Sequence, residues 1–344
     1  MSQSRRFEEL DALRGMAALM VVLFHLTQER PQAELGFKLG ITGVDLFFII
    51  SGFVIFMSVS KVKSSLDFAV IRISRLYPTY WASVTFTFLL IIVLNMCGYT
   101  DSHSIDVVKY LANMTMFQFY FDVGNLDGPY WTMITEMLFY IGILLLIRFK
   151  FLHSISSIGV VLTVGVSSVV YFGFQTPAVT EIIEIIPLLQ FFPLFFAGIV
   201  FYQIHQQKEG IIKKYAVILV CFVAQVLLYD HGRAQYFLTE MEYAIMLAIY
   251  FALFILFING RLRFIVSKVT LFLGNISFAL YLIHNYTAKR VLLPFLVEEH
   301  GMNFWFATIF ICIPTVIILA SAITYGIDVP GRRLMKRKLR KVFF

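Results

Sequence analysis

Apolar runs of about 17 to 25 residues recur along the chain, and each is long enough to cross a hydrocarbon layer ~30 Å thick as an α-helix. Inside such a layer every backbone N–H and C=O must be satisfied within the protein, which leaves little choice of structure for these runs. The composition agrees: 59% of residues are hydrophobic and 14% charged, with a mean hydropathy of +0.82. Soluble domains hold closer to 45–50% apolar residues. The expected fold is therefore all-α, a polytopic transmembrane helical bundle of about ten helices forming one domain over 1–344. Its membrane part covers roughly 10–328, and a basic tail follows over 329–344.

Polar and Gly/Pro-rich joints divide the chain into ten expected spans, roughly 12–28, 40–59, 76–97, 130–147, 155–173, 186–204, 214–229, 241–258, 271–287 and 304–326. Arg5 and Arg6 precede the first run, but no small-residue cleavage site follows it, so it reads as a retained span rather than a signal peptide. Within 98–129, "SIDVVKYLANMTMFQFYF" has apolar residues at helical spacing and reads as an interfacial helix on the outer surface. Cys97, Cys221 and Cys312 lack disulfide or metal spacing, and no metal is expected.

Basic residues accumulate on the cytoplasmic side of membrane proteins. Ten spans with both termini cytoplasmic place 22 of the 28 lysines and arginines inside, seven of them between Arg332 and Lys341. The same arrangement leaves 13 of the 21 acidic residues outside, Asp101 and Asp127 among them. The net charge of +7 thus describes topology and contact with anionic lipid, and it gives no reason to expect nucleic acid.

Several spans carry side chains that hydrocarbon penalises. In "LDALRGMAALMVVLFH" Arg14 and His25 are 11 residues apart, three turns and about 20°, so they share one helix face ~16.5 Å apart along the axis. Asp45 in "GITGVDLFFIISGFVIF", Glu136 in "GPYWTMITEMLFY", and Tyr281 and His284 in "GNISFALYLIHN" are each expected in the outer half of the layer, near the depth of His25. Intramembrane ionisable residues usually mark function, although buried ion pairs also serve structure. At the opposite face, "RISRLYPTYW" sets Arg72 and Arg75 three apart, on one helical face just before Pro78. The planar fork of arginine suits phosphate oxygens.

A phosphate grip on one side and an imidazole deeper in the layer suit a donor with a phosphorylated head and a long arm, the shape of acyl-coenzyme A. An imidazole beside a carboxylate (Asp45 or Glu136, fixing its tautomer) can take the proton of an attacking sugar hydroxyl, or can carry the acyl group itself. The same buried Asp45, Glu136 and His25 could instead form the proton relay of a proton-coupled secondary transporter. Transporters tend to show internal repeats, and none is visible here.

These motifs resemble the acyltransferase-3 family of bacterial membrane O-acyltransferases. The resemblance rests on "LDALRGMAALMVVLFH", "GVDLFFIISGFVI", "RISRLYPTYW", "YWTMITEMLFY" and "ISFALYLIH", which fall in order over residues 10 to 284. It implies catalytic roles for His25, Glu136 and Asp45, donor binding by Arg14, Arg72 and Arg75, and acceptor contacts by Trp131, Tyr281 and His284. It further implies acetyl-CoA or another acyl-CoA as co-substrate and a glycan acceptor (O-antigen, exopolysaccharide or capsule precursor), free or polyprenyl-linked. The expected location is the bacterial inner membrane, with the lipid bilayer as surroundings. Some family members append an SGNH esterase-like domain; this chain shows only its membrane module and basic tail.

Overall fold

The computed structural model describes residues 7–98, 105–172 and 177–344. Arg5, Arg6 and Asp101, counted in the charge pattern above, lie outside these residues. The chain is 85% helical, and no strand occurs among the described residues. The helices are α1 (Glu8–Thr27), α2 (Gly43–Val59), α3 (Ser65–Met96), α4 (Val107–Met114), α5 (Trp131–Arg148), α6 (Ile155–Tyr171), α7 (Pro177–Ile185), α8 (Leu188–Gln206), α9 (Ile211–Leu227), α10 (Glu240–Ile258), α11 (Lys268–His284) and α12 (Phe304–Phe343). The last contains two wider π turns, at Ala307–Cys312 and Thr324–Asp328.

Among the described residues, eight helical segments are long and apolar enough to cross a membrane: Glu8–Thr27, Phe37–Val59, Ser65–Met96, Gly128–Arg148, Phe151–Tyr171, Leu188–Gln206, Glu240–Ile258 and Phe304–Phe343. The other two expected spans appear as α9 and α11, of 17 residues each. Two helices extend well past their expected limits. α3 begins at Ser65 and runs 32 residues, ~48 Å, with Pro78 inside it. Proline removes the N–H that would bond the carbonyl four residues back, yet the helix continues through it. α12 has 40 residues, ~60 Å, because the basic tail is a helical continuation of the last span.

The chain divides into two compact units, one formed by Met1–Ser65 with Leu138–Gly274 and the other by Leu66–Met137 with Asn275–Phe344. In the first unit, α2 and α8 meet backbone to backbone. A Cβ on Gly52 would overlap the Phe195 carbonyl, and one on Gly198 would overlap the Ile49 carbonyl. Lipid gives apolar side chains no reason to leave it, so close backbone approach through small residues is how such helices gain packing contacts. Around this crossing lie Phe48, Phe53, Phe195, Phe201 and Phe254, all buried, with Phe48 and Phe195 at 4.8 Å and Phe201 and Phe254 at 5.1 Å between ring centres. Thr239 and Glu242 cap the start of α10 reciprocally, each side chain meeting a backbone N–H of the other residue.

In the second unit, the sequence expected to lie at the interface forms α4, shorter than its apolar pattern suggests and docked along α3. Trp81 Nε1 donates to the Met114 carbonyl (2.9 Å), Tyr77 donates to the Thr115 carbonyl (3.0 Å), and Tyr110 stacks on Phe88 at 4.5 Å. Val107, Val108 and Leu111 remain exposed on its other side. Asn113 closes the following loop, donating to the Gly124 carbonyl and accepting the Leu126 N–H. Buried Asp127 then joins the lead into α5 to the end of α11. It accepts from Gly128 N–H (2.7 Å), the Asn285 amide (2.6 Å) and Tyr286 N–H (3.0 Å).

Two expectations follow. Gly198→Leu should abolish a monodisperse protein in detergent or lower its melting temperature sharply, whereas Gly165→Leu, where a Cβ meets nothing within 4 Å, should leave both nearly unchanged. The second concerns Asp127, whose carboxyl burial pushes up to about 6, against the Asn285, Tyr286 and Gly128 donors and the Arg290 charge. Since the ordinary value is about 3.9, the folded chain keeps this proton across a pH window, about 4 to 6, in which the unfolded chain has released it. Stability contributed at this site therefore falls as pH rises through that window. Asp127→Asn cannot titrate and should show a shallower decline in melting temperature there; equal slopes would refute the assignment.

Candidate functional site

Arg14, His25 and Asp45 belong to the first unit. Because α1 is one uninterrupted helix, Arg14 and His25 share a face as their spacing requires, and both are half-buried. The Nδ1 of His25 lies 2.9 Å from the carbonyl oxygen of Val21, one turn back in the same helix. A carbonyl only accepts, so Nδ1 carries the hydrogen, and in the neutral ring the lone pair is then on Nε2. The ring is also held edge-on to Phe24, 4.9 Å between centres.

The Nδ1 hydrogen of His25 thus has a backbone acceptor, and the carboxyl of Asp45 has a hydroxyl donor on another helix. Asp45 is 4% exposed and accepts the Tyr243 hydroxyl at 3.2 Å. That hydroxyl accepts in turn from the Gln225 amide (3.1 Å), which also reaches the Gln190 carbonyl (3.1 Å). The network ties α2 to α10, α9 and α8. A second cross-link, Thr42 to Tyr250 at 2.7 Å, lies close by in sequence on both sides. Tyr243 and Gln225 were not among the expected site residues. Their signal was modest: a glutamine in the middle of an apolar run, and a tyrosine one turn into the next.

Arg72, Arg75, Trp131, Glu136, Tyr281 and His284 belong to the second unit. Arg72 is 3% exposed, with its guanidinium carbon 5.3 Å from the centre of the Phe68 ring one turn earlier, a cation–π arrangement. Arg75 is half-buried three residues on. α3 runs through both, so they sit on a helix rather than in a connecting loop. Trp131 and Glu136 are half-buried on α5. Tyr281 and His284 are buried near the end of α11, 6.0 Å between ring centres, and His284 Nδ1 faces the carbonyls of Tyr281 (2.8 Å) and Leu280 (3.1 Å). The next residue, Asn285, opens a π turn over Asn285–Leu292 and binds Asp127. Asp127 entered the sequence reading only as an outer acidic residue, and Asn285, inside the expected span 271–287, is an uncharged amide that no charge or spacing pattern singles out. Among the described residues, no group of three or more His, Cys, Asp or Glu side chains could hold a metal ion.

Chemically, the first unit offers a half-buried imidazole with its basic nitrogen defined, and the second offers adjacent guanidinium groups. Comparison with known proteins agrees with that inventory. A family model described as an acyltransferase domain matches residues 7–324, nearly the whole chain. A protein of Acidianus two-tailed virus, named "Putative acetyltransferase ORF330", is 25% identical over 278 residues, covering 79% of this chain and 80% of that protein. No solved structure matches. The match over residues 7–324, on a chain whose described residues include eight helices long and apolar enough to cross a membrane, shows that this multi-pass membrane protein belongs to the acyltransferase-3 family.

Proposed function

We propose that the protein transfers an acyl group, most simply acetyl, from acyl-CoA to a hydroxyl of a surface glycan such as an O-antigen, exopolysaccharide or capsule precursor, in a bacterial inner membrane. The observation that carries this reading is the state of His25. Its Nδ1–H is directed at the Val21 carbonyl, so in the neutral ring Nε2 is the nitrogen that holds the lone pair. In the proposed step the acceptor hydroxyl oxygen attacks the thioester carbonyl while Nε2 takes the hydroxyl proton. The tetrahedral intermediate then expels the coenzyme A sulfur, which recovers that proton as thiol. The same nitrogen is equally suited to take the acyl group first and pass it to the hydroxyl.

Glu136 is proposed to stabilise the charge that develops on the imidazole. Asp45 is proposed to serve the chemistry by fixing α2 against α10 through its hydrogen bond with Tyr243. Arg14, Arg72 and Arg75 are proposed to bind the donor's phosphates, for which a planar, permanently charged fork is suited. Trp131, Tyr281 and His284 are assigned to the acceptor. The viral relative's name, which includes acetyltransferase, favours acetyl as the group moved.

His25→Ala should lower the rate of acyl transfer by about 100-fold or more while leaving coenzyme A binding and the melting temperature near wild type. A normal extent of glycan acylation in cells carrying only this variant would end the proposal. Arg75→Gln should weaken coenzyme A binding by about 10-fold, read by calorimetry on purified protein, because one charge-assisted contact is lost. Unchanged affinity would remove Arg75 from the donor site.

A further inference from the structure

The hydrogen bond between His25 Nδ1 and the Val21 carbonyl fixes where one ring atom points, but a single bond leaves the imidazole free to tilt about it. Phe24 limits that tilt. Its ring stands edge-on to the imidazole, 4.9 Å between centres and 67° between planes. Phe24 is itself buried, so its position is set by what packs against it.

Two outer segments of the first unit do so. The 3-10 turn Phe37–Thr42 leans on α1 at Gly40, where an added Cβ would stand 2.3 Å from the Met20 carbonyl oxygen and 2.9 Å from the Phe24 Cβ. Glycine permits that approach because it has no Cβ. The other segment is the connection between α9 and α10. From it Phe237 sets its ring edge-on against Phe24, 5.0 Å between centres and 85° between planes. The rings of Phe237, Phe24 and His25 are therefore in continuous contact.

The connection that carries Phe237 is braced. The Tyr229 hydroxyl donates to the Leu238 carbonyl, and the Gln235 amide donates to the carbonyls of Asp230 (2.6 Å) and Gly232 (3.1 Å). Thr239 caps α10 two residues after Phe237. The two outer segments are also joined to each other, by Lys38 with Glu242 at 3.1 Å and Thr42 with Tyr250 at 2.7 Å. Edge-on ring pairs have a preferred orientation that aliphatic contacts lack. Leucine at 237 would fill much of the same space and leave Phe24, and the imidazole behind it, freer to turn.

We propose that Phe237 is a positioning residue for acyl transfer: through Phe24 it holds the His25 imidazole in the orientation from which Nε2 meets the acceptor hydroxyl. The proposal rests on the role given to His25 above.

The test uses the full-length protein in nanodiscs with radiolabelled acetyl-CoA, and the alkali-deacylated surface glycan of the producing cells as acceptor. Rates are normalised to the fraction of protein that binds coenzyme A, so that loss of fold is not counted as loss of rate. Phe237→Leu should lower kcat about 10-fold, with KM for the glycan and Kd for coenzyme A within about twofold of wild type. Phe237→Tyr keeps the ring and should restore the rate. Tyr236→Leu, which changes the exposed neighbour in the same connection, should act like wild type. In nitrogen NMR spectra of histidine-labelled protein, the His25 signals, identified by their loss in His25→Ala, should move in Phe237→Leu and stay in Phe237→Tyr. Wild-type kcat in Phe237→Leu overturns the proposal. So does a lowered kcat shared equally by Tyr236→Leu or Phe237→Tyr, or one that leaves the His25 signals unmoved, since each places the effect elsewhere than in the ring contact. A wild-type rate in His25→Ala, or no transfer from acetyl-CoA by the wild-type protein, would instead refute the underlying reading and the positioning role with it. An inactive His25→Ala beside a fully active Phe237→Leu would refute the positioning role alone.

Discussion

A polar group inside hydrocarbon has no water to turn to, and nearly every specific feature of this protein answers that constraint. Several of its hydroxyls bond back to the carbonyls of their own helices, as Thr27 does to Leu23, Ser74 to Val70 and Ser167 to Thr163. Larger polar side chains cross-link neighbours: Asp45 with Tyr243 and Gln225, and Asp127 with Asn285 and the Tyr286 N–H. The gain from each bond is modest, but leaving one of these groups unsatisfied would cost about 1–3 kcal/mol. Such bonds therefore specify which helix faces which.

The same constraint shapes the proposed chemistry. A histidine in a span must place its N–H somewhere, and His25 gives it to the Val21 carbonyl. That bond is made one turn back in the same helix, so the backbone itself fixes the direction of Nδ1. Asp45 braces the bundle through Tyr243, which joins α2 to α10.

Helix length carries the other half of the reading. A helix of 32 residues and one of 40 both exceed what a ~30 Å layer requires, and the excess on each is basic. α3 extends through Arg72 and Arg75, α12 through Arg332 to Lys341, and the Arg340–Asp67 pair holds the extensions side by side. Arginines that look like loop anchors in the sequence become parts of a helical pair, with their spacing set by the helix.

What the amino-acid sequence determined alone is the helical bundle and most of its spans, because a run of some 20 apolar residues has few options in lipid. Arg14 above His25 on one face was equally legible, since helix period and rise follow from backbone geometry within a single element. The limits of α3 and α12 were not, because polar helix outside the layer has no hydropathy signal to separate it from loop. Partnerships were decided by tertiary structure: Tyr243 for Asp45, Asn285 for Asp127, Asp67 for Arg340. Each joins residues far apart in the chain, where only the packing of helices fixes distance and direction, and no local pattern of residue types encodes it.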